Sequence, residues 1–300
     1  MTSWTLCIII ILSSLETRLS LYVGILFFWQ AAGFITYLWN KAMQYFDTHA
    51  HLGLIVEDAI EQLIVVQEAR QASVKRIVSI CNSLHDFSRV YENLKSTTNV
   101  YHAVGVSPSE VQNPGRNWLQ TIEQGVQLPR VVAIGEIGLD YFRKFGDKKS
   151  QIELFITQLD LAAKLNLPVI IHNREAGRDV LEILRDRLPP KGGILHCYSE
   201  DAAYAKEARK LNLYFSFAGN LTYKNARNLH ETVPELPLDR IIIESESPFM
   251  VPTGQKGKRN MPKYLPETAL CLAKMLNIGI EEFSVKLWEN SNRFFGLPNE

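Results

Sequence analysis

The fold is decided by a stretch in the middle of the chain that reads VVAIGE at Val131–Glu136, KSQIELFITQLDLAAKLN at Lys149–Asn166 and PVIIH at Pro168–His172. The two short runs are rich in β-branched residues, which is typical of strands. The segment between them places apolar residues at i, i+3 and i+4 spacings, as in a helix with one buried face. A strand, a helix and a second strand in this order predict a crossover between parallel strands.

The same alternation continues on both sides of this stretch, from Met43 to the end of the chain. Six further strand-like runs are QYFDT (Gln44–Thr48), RIVSIC (Arg76–Cys81), VYHAVG (Val100–Gly105), GILH (Gly193–His196), LYFSF (Leu213–Phe217) and RIIIE (Arg240–Glu244). Asp58–Ala72 and Glu267–Leu276 add segments with helical spacing. Eight strands with intervening helices in about 250 residues match the size of one (β/α)8 barrel. The sequence therefore predicts an α/β fold with a single TIM-barrel domain over residues 43–300.

The first 42 residues differ from the rest, because Leu19–Trp39 contains no charged residue and is long enough to span a bilayer. Two interpretations are open. The segment is a membrane anchor, or residues 1–42 are an apolar extension upstream of a translation start at Met43. A cleaved secretory peptide fits less well, because no basic region or small-residue cleavage site is present. We expect a cytoplasmic protein, with a membrane-anchored form as the alternative.

The composition is that of a folded globular chain, with 46% hydrophobic and 21% charged residues. Thirty-two basic and thirty-two acidic side chains give a net charge of zero. A wide electrostatic surface for duplex DNA or anionic membranes is therefore not expected, and any polyanion must be bound locally. The four cysteines are far apart and form no CxxC pair, which argues against a disulfide framework or a structural zinc site.

Histidines and carboxylates occur where the predicted strands end. They are His49 and His51, Glu136, His172, His196, and Glu244 with Glu246. In a TIM barrel the carboxyl ends of the strands share one rim, where active sites are built. Imidazoles and carboxylates bind divalent metal ions, and a carboxylate can bridge two of them. The pattern therefore indicates a metal-dependent hydrolase.

Each of these residues also has a simpler explanation. An HxH pair arises by chance, a buried glutamate is usually paired with arginine or lysine, and a single histidine at a strand end is usually hydrogen-bonded. The coincidence of four histidines and two or three carboxylates on one rim favours the metal site. His85, His102 and His230 do not follow the rim pattern, and we expect them to be structural.

Six short motifs occur along the chain after Met43. They are DTHAHL (Asp47–Leu52), GEIGLDY (Gly135–Tyr141), PVIIHNREA (Pro168–Ala176) and HCYS (His196–Ser199), followed by RNMP (Arg259–Pro262) and NSNRFF (Asn290–Phe295). Together these motifs resemble the TatD family of metal-dependent deoxyribonucleases and hydrolases, within the amidohydrolase-like superfamily. The resemblance covers nearly all residues from Met43 to the end. It implies that His49 and His51 hold one metal ion, that Glu136 bridges two, and that His172 and His196 hold the second.

The sixth ligand of the family is an aspartate within ETDSP, whereas this chain has ESESP at Glu244–Pro248 and so places Glu246 there. The glutamate is one methylene longer, so we expect metal binding to survive while turnover falls. Ser107 similarly stands where the family usually has a histidine before proline. The resemblance implies two divalent cations, Mg²⁺ or Mn²⁺, and the histidine-rich ligand set would also accept Zn²⁺.

The implied reaction is hydrolysis of an ester or phosphodiester by a metal-activated water, with Glu246 and Glu136 as catalytic carboxylates and DNA ends attacked from 3′ to 5′. Candidate phosphate contacts are Arg174 and two basic loop clusters, Arg143, Lys144, Lys148 and Lys149, and Lys256, Lys258 and Arg259. Candidate base-stacking residues are Tyr141, Phe142 and Tyr198.

Three alternatives remain open from the sequence. The barrel hydrolyses a small ester, lactone or amide, since this architecture changes substrate by loop variation. Alternatively, Glu246 and Ser107 leave a metal-binding or nucleic-acid-binding protein with impaired turnover. A membrane-tethered hydrolase follows if Leu19–Trp39 is an anchor. No obligate protein partner is expected.

Overall fold

In the computed structural model, which describes residues 43–299, eight parallel strands pair in chain order within one sheet. The strands are β1 (Tyr45–Ala50), β2 (Val74–Ser79), β3 (Val100–Val104), β4 (Val131–Asp140), β5 (Val169–Arg174), β6 (Gly193–Leu195), β7 (Tyr214–Phe217) and β8 (Ile241–Ile243). A parallel bridge between Ala50 and Ser247 joins the first strand to the segment after the last. The sheet is thus nearly closed, and the predicted TIM barrel is confirmed.

Ten α-helices of the described residues alternate with the strands. They are α1 (Leu52–Ile55), α2 (Ala59–Gln71), α3 (Leu84–Leu94), α4 (Trp118–Gly125), α5 (Lys148–Leu165), α6 (Gly177–Arg187), α7 (Ala202–Arg209), α8 (Arg227–Thr232), α9 (Leu265–Leu276) and α10 (Ile280–Phe295). The predicted helices correspond to α2, α5 and α9 within two residues at each end. Helix α5 begins where the Asp147 side chain accepts the Ser150 amide, and it ends at Asn166 with a positive φ of 53°.

The strands are buried along almost their whole length, because the helices cover the outside of the barrel and side chains fill its inside. One core cluster packs Phe46 of β1 and Val78 of β2 against Phe295 of α10. Complete burial of such a side chain contributes about 1.5–3 kcal/mol. The rim that carries the polar residues therefore rests on a rigid apolar base.

Three strands are longer than the sequence predicted. Strand β4 continues to Asp140, so Glu136 lies in its middle and does not close it. Gly138 permits this extension, since its φ is +142° and a Cβ there would lie 2.0 Å from the His172 carbonyl oxygen. Strands β1 and β5 likewise continue past the predicted ends, so His49 and His172 lie within strands.

The predicted apolar extension, including Leu19–Trp39, lies outside the described residues, and its role stays a prediction. Within residues 43–299, no helix combines the length and the apolar character needed to cross a membrane. From Gln44 onward the chain forms one compact unit.

His102 in β3 is fully buried, and neither ring nitrogen has a hydrogen-bond partner among residues 43–299. Its ring meets those of Phe87 and Tyr91, with centroids 6.4 and 5.1 Å away. Burial lowers the pKa of His102 from 6.5 to about 4, and the charge of Arg130 acts in the same direction. The neutral ring is therefore part of the core.

We expect protonation of His102 to destabilise the fold in acid. The pKa is lower in the folded state than in the unfolded state, so the stabilisation is complete above pH 6.5 and is lost as the pH falls toward 4. This one group should lower the free energy of unfolding by about 2 kcal/mol when the pH falls from 7 to 5. Urea unfolding at both pH values should show that His102→Leu has a smaller pH dependence than wild type by this amount. Equal pH dependence in the two proteins would contradict the assignment.

Candidate metal centre

The six residues predicted as metal ligands lie together on one rim of the barrel, within or just after five strands. They are His49 and His51 (β1), Glu136 (β4), His172 (β5), His196 (β6) and Glu246 (β8). All are buried except His172, which is partly exposed. Residues from distant parts of the chain thus meet in one place, as the predicted barrel required.

His49 and His51 form the first histidine pair. They are two residues apart, so they lie on the same face of the chain, and their Nε2 atoms are 3.2 Å apart. Glu246 Oε2 lies 3.2 Å from His49 Nε2 and 3.8 Å from His51 Nε2. Glu136 Oε2 lies 3.7 and 3.8 Å from the same two nitrogens. Four potential ligand atoms therefore converge on one point.

His172 and His196 form the second histidine pair. His172 Nδ1 and His196 Nε2 are 3.1 Å apart. Glu136 Oε1 lies 2.5 Å from the first of these nitrogens and 3.2 Å from the second. Glu136 thus directs one carboxylate oxygen toward each histidine pair, which is the geometry of a bridging ligand.

The two carboxylates differ in their electrostatic environment. Burial would raise the pKa of Glu136, but the charges and hydrogen bonds of His196 and His172 outweigh it and hold this pKa well below its usual value. Burial raises the pKa of Glu246 to about 8, because Glu244 and Glu136 add to it and His196 opposes it only in part. Two acidic groups are therefore held close together, a situation that a divalent cation would relieve.

Two carboxylates outside the predicted ligand set also contact the histidines. Asp140 Oδ2 lies 3.2 Å from His172 Nε2, and Glu244 Oε1 lies 3.4 Å from His196 Nδ1. The sequence pattern places Glu244 at a strand end without assigning it a role, and it does not indicate Asp140, because it predicts that β4 ends four residues earlier. Their positions inside the motifs GEIGLDY and ESESP could have indicated that Asp140 and Glu244 belong to the site.

Hydrogen bonds from backbone amides join β1 to the segment after β8. The Glu246 amide donates to the His49 carbonyl at 2.9 Å, and Asp47 Oδ1 accepts the Ser245 amide at 2.8 Å. These bonds, with the Ala50 to Ser247 bridge, close the barrel at the first histidine pair.

A pocket of about 400 Å³ opens over the histidines and carboxylates. Arg174, for which a substrate contact stays a prediction, lines it, and its guanidinium lies 4.1 Å from the centroid of the Phe142 ring. Arg143, Ser107 and Phe249 also line the pocket. Phe249 was not predicted, and only its place just after the ESESP motif could have indicated it.

The structure does not bring the other predicted substrate contacts into this pocket. The Tyr141 hydroxyl donates to Asp179 Oδ2 at 2.7 Å. Arg259 donates to the Ile55 carbonyl at 2.6 Å, and the exposed Lys258 donates to Gln255. Lys144, Lys148, Lys149 and Lys256 also lie outside the pocket lining, and Tyr198 is buried. These basic loop side chains therefore lie outside the wall of the pocket.

The sequence profile described as TatD related DNase matches residues 46–296. The chain belongs to the TatD-related DNase family. This match confirms the predicted family and the prediction that the chain is a metal-dependent hydrolase.

Individual proteins of the TatD family align with this chain over almost their whole length. The metal-dependent hydrolase YabD of Bacillus subtilis is 38% identical over 254 residues, which cover 84% of this chain and 99% of YabD. The 3′-5′ ssDNA/RNA exonuclease TatD of Erwinia amylovora is 29% identical, over 78% of this chain and 93% of its own. The crystal structure of YjjV, a TatD homologue of Escherichia coli, superposes with a TM-score of 0.80 at 27% identity, over 86% of this chain and all of YjjV.

Proposed function

We propose that this TatD-family chain hydrolyses phosphodiester bonds with divalent cations and removes nucleotides from DNA ends in the 3′ to 5′ direction. The observation that carries the proposal is Glu136, which directs one oxygen toward each histidine pair at the floor of a pocket that two arginines line. One relative is named as a 3′-5′ exonuclease of single-stranded DNA and RNA, which supports the substrate class.

The donor atoms fit two divalent cations. The ion pairs of Glu136 and Glu246 within residues 43–299 are all with histidines, so no lysine or arginine neutralises these buried carboxylates. His49, His51 and Glu246 would hold one cation, His172 and His196 would hold the other, and Glu136 would be shared. Imidazole and carboxylate ligands suit Mn²⁺ and Zn²⁺, and carboxylates suit Mg²⁺. Such cations supply a lowered water pKa and stabilise the charge that develops on phosphate oxygens.

The side chains of this chain have separate tasks in the proposed reaction. Glu246 lines the pocket and accepts the proton of the attacking water. Arg143 and Arg174 donate hydrogen bonds to the scissile phosphate, and a planar guanidinium can give two at once. Phe142 holds the Arg174 guanidinium by stacking, so this donor is oriented before substrate arrives.

Two exposed aromatic rings favour a nucleic-acid end over a small ester. Phe142 is 53% exposed and Phe249 is 46% exposed. They lie in the loops after β4 and β8, which are four strands apart in an eight-stranded ring and therefore on opposite sides of the rim. Base stacking on such rings contributes about 1–3 kcal/mol per base. A small ester or lactone would need neither ring.

The test is cleavage of end-labelled single-stranded and double-stranded DNA by the full chain with Mg²⁺, Mn²⁺ or Zn²⁺, and with EDTA. We expect stepwise shortening from the 3′ end that requires a cation. His49→Ala should lower the rate by about 10³-fold, because the loss of one cation removes several kcal/mol of transition-state stabilisation. His85→Ala, a change of an exposed histidine, is the matched control and should cleave like wild type.

A small phosphodiester, bis(p-nitrophenyl) phosphate, separates the alternatives. Phe249→Ala should bind single-stranded DNA about 10-fold more weakly and hydrolyse the small substrate at the wild-type rate. Fast hydrolysis of small esters or lactones without any DNA cleavage would instead establish the small-substrate enzyme. Tight cation binding with no hydrolysis would establish a binding protein.

A further inference from the structure

Two buried carboxylates lie behind the second histidine pair, on the side away from Glu136. Asp140 Oδ2 is 3.2 Å from His172 Nε2, and Glu244 Oε1 is 3.4 Å from His196 Nδ1. The other nitrogen of each ring faces Glu136 Oε1. Glu246 Oε2 also lies 3.8 Å from His196 Nδ1, farther away than Glu244 Oε1. Each histidine therefore lies between the proposed bridging carboxylate and a second carboxylate within 3.4 Å.

Both outer carboxylates are fixed in position by the backbone. Asp140 Oδ1 accepts the Arg143 amide at 2.8 Å, and Glu244 Oε1 accepts the Cys197 amide at 2.8 Å. A carboxylate held in this way accepts a hydrogen bond from one particular ring nitrogen and keeps the ring from turning. It leaves His172 Nδ1 and His196 Nε2 free of hydrogen in the state that binds a cation.

The first histidine pair has no such support. The Nδ1 atoms of His49 and His51 are buried and have no hydrogen-bond partner within the part of the chain that the structure describes. The two halves of the centre thus differ, since only His172 and His196 receive an orienting carboxylate.

We propose that Asp140 and Glu244 are positioning residues for one cation, the one held by His172 and His196. This inference rests on the proposed cation sites. Loss of an outer carboxylate typically costs 10–100-fold in metal affinity. Asp140→Asn and Glu244→Gln should each weaken the binding of one cation by about this factor, while the affinity for the other stays within about twofold of wild type.

The experiment is calorimetric titration of Mn²⁺ into the full chain and into Asp140→Asn and Glu244→Gln. Asp179→Asn is the matched control, because Asp179 contacts Tyr141 and Lys148 and no proposed ligand. NMR of ¹⁵N-histidine-labelled, Zn²⁺-loaded protein supplies a second readout. In wild type the ring N–H signals should come from His172 Nε2 and His196 Nδ1 and should be protected from exchange. In each variant the protection of the corresponding signal should be lost.

The outcomes separate this inference from the proposed function. Absence of Mn²⁺ binding by wild type would overturn the proposed function. Two bound cations in wild type with unchanged affinities in both variants would overturn the positioning role alone. Equal weakening by Asp179→Asn would also overturn it, because a general charge effect would then be sufficient. If Asp140→Asn does not fold, Glu244→Gln and the wild-type NMR spectrum still decide.

Discussion

Glu136→Gln is expected to abolish tight binding of both cations and to lower the rate of hydrolysis by at least about 10³-fold. The amide keeps the shape of the side chain but removes its negative charge and one of its two acceptor oxygens. In wild type these oxygens lie 3.7 Å from His49 Nε2 and 2.5 Å from His172 Nδ1, so both histidine pairs lose their shared ligand at once.

Bound metal per chain and the rate of DNA cleavage measure this effect. Glu153→Gln is the matched control, since Glu153 is exposed on α5 and its ion pair within residues 43–299 is with Lys149, one helical turn away. The shared position of Glu136 predicts that two equivalents disappear together. Retention of one tightly bound cation in Glu136→Gln would show that the carboxylate belongs to a single site.

Glu246→Asp is expected to raise the rate of hydrolysis by about 10²-fold, because a displacement of about 1 Å in a reacting group changes rates by this order. Glu246 Oε2 lies 3.2 Å from His49 Nε2, and His51 Nε2 lies at the same distance from this nitrogen. The shorter side chain would withdraw this oxygen and leave room beside His49 for the attacking water. Glu246 also has a φ of +54°, a backbone conformation that aspartate adopts more readily than glutamate.

The rate of cleavage and the Mn²⁺ dissociation constants should be measured together. We expect the dissociation constants to change much less than the rate. Glu246→Gln serves as the control, because it keeps the length and removes the charge, and it should lower the rate. A slower Glu246→Asp enzyme would show that this site has adapted to glutamate.

The barrel and the six clustered residues could be predicted from the sequence for a simple physical reason. Parallel strands place their carboxyl ends on one rim, and errors of a few residues in strand boundaries do not move a side chain to the other rim. His172 was predicted to end its strand and lies inside it, yet it meets Glu136 as expected.

Other features depend on the path of the chain in space. Asp140 is not indicated by the sequence pattern, because the predicted strand ends at Glu136, whereas Gly135 and Gly138 allow β4 to continue close to its neighbours. Arg259 lies in a basic loop, but it turns back to the Ile55 carbonyl, and no local pattern encodes that contact. Whether a charged loop residue faces a pocket is decided by tertiary packing and not by composition.

The contact between β1 and the segment after β8 determines when the metal centre can form during protein synthesis. His49 and Glu246 are far apart in the sequence and are joined by a backbone hydrogen bond where β1 meets the segment after β8. A growing chain on the ribosome therefore carries the first histidine pair long before its carboxylate exists. The proposed metal centre is completed only when the segment after the last strand has emerged, so an unfinished chain would lack Glu246 and could not carry out the proposed hydrolysis.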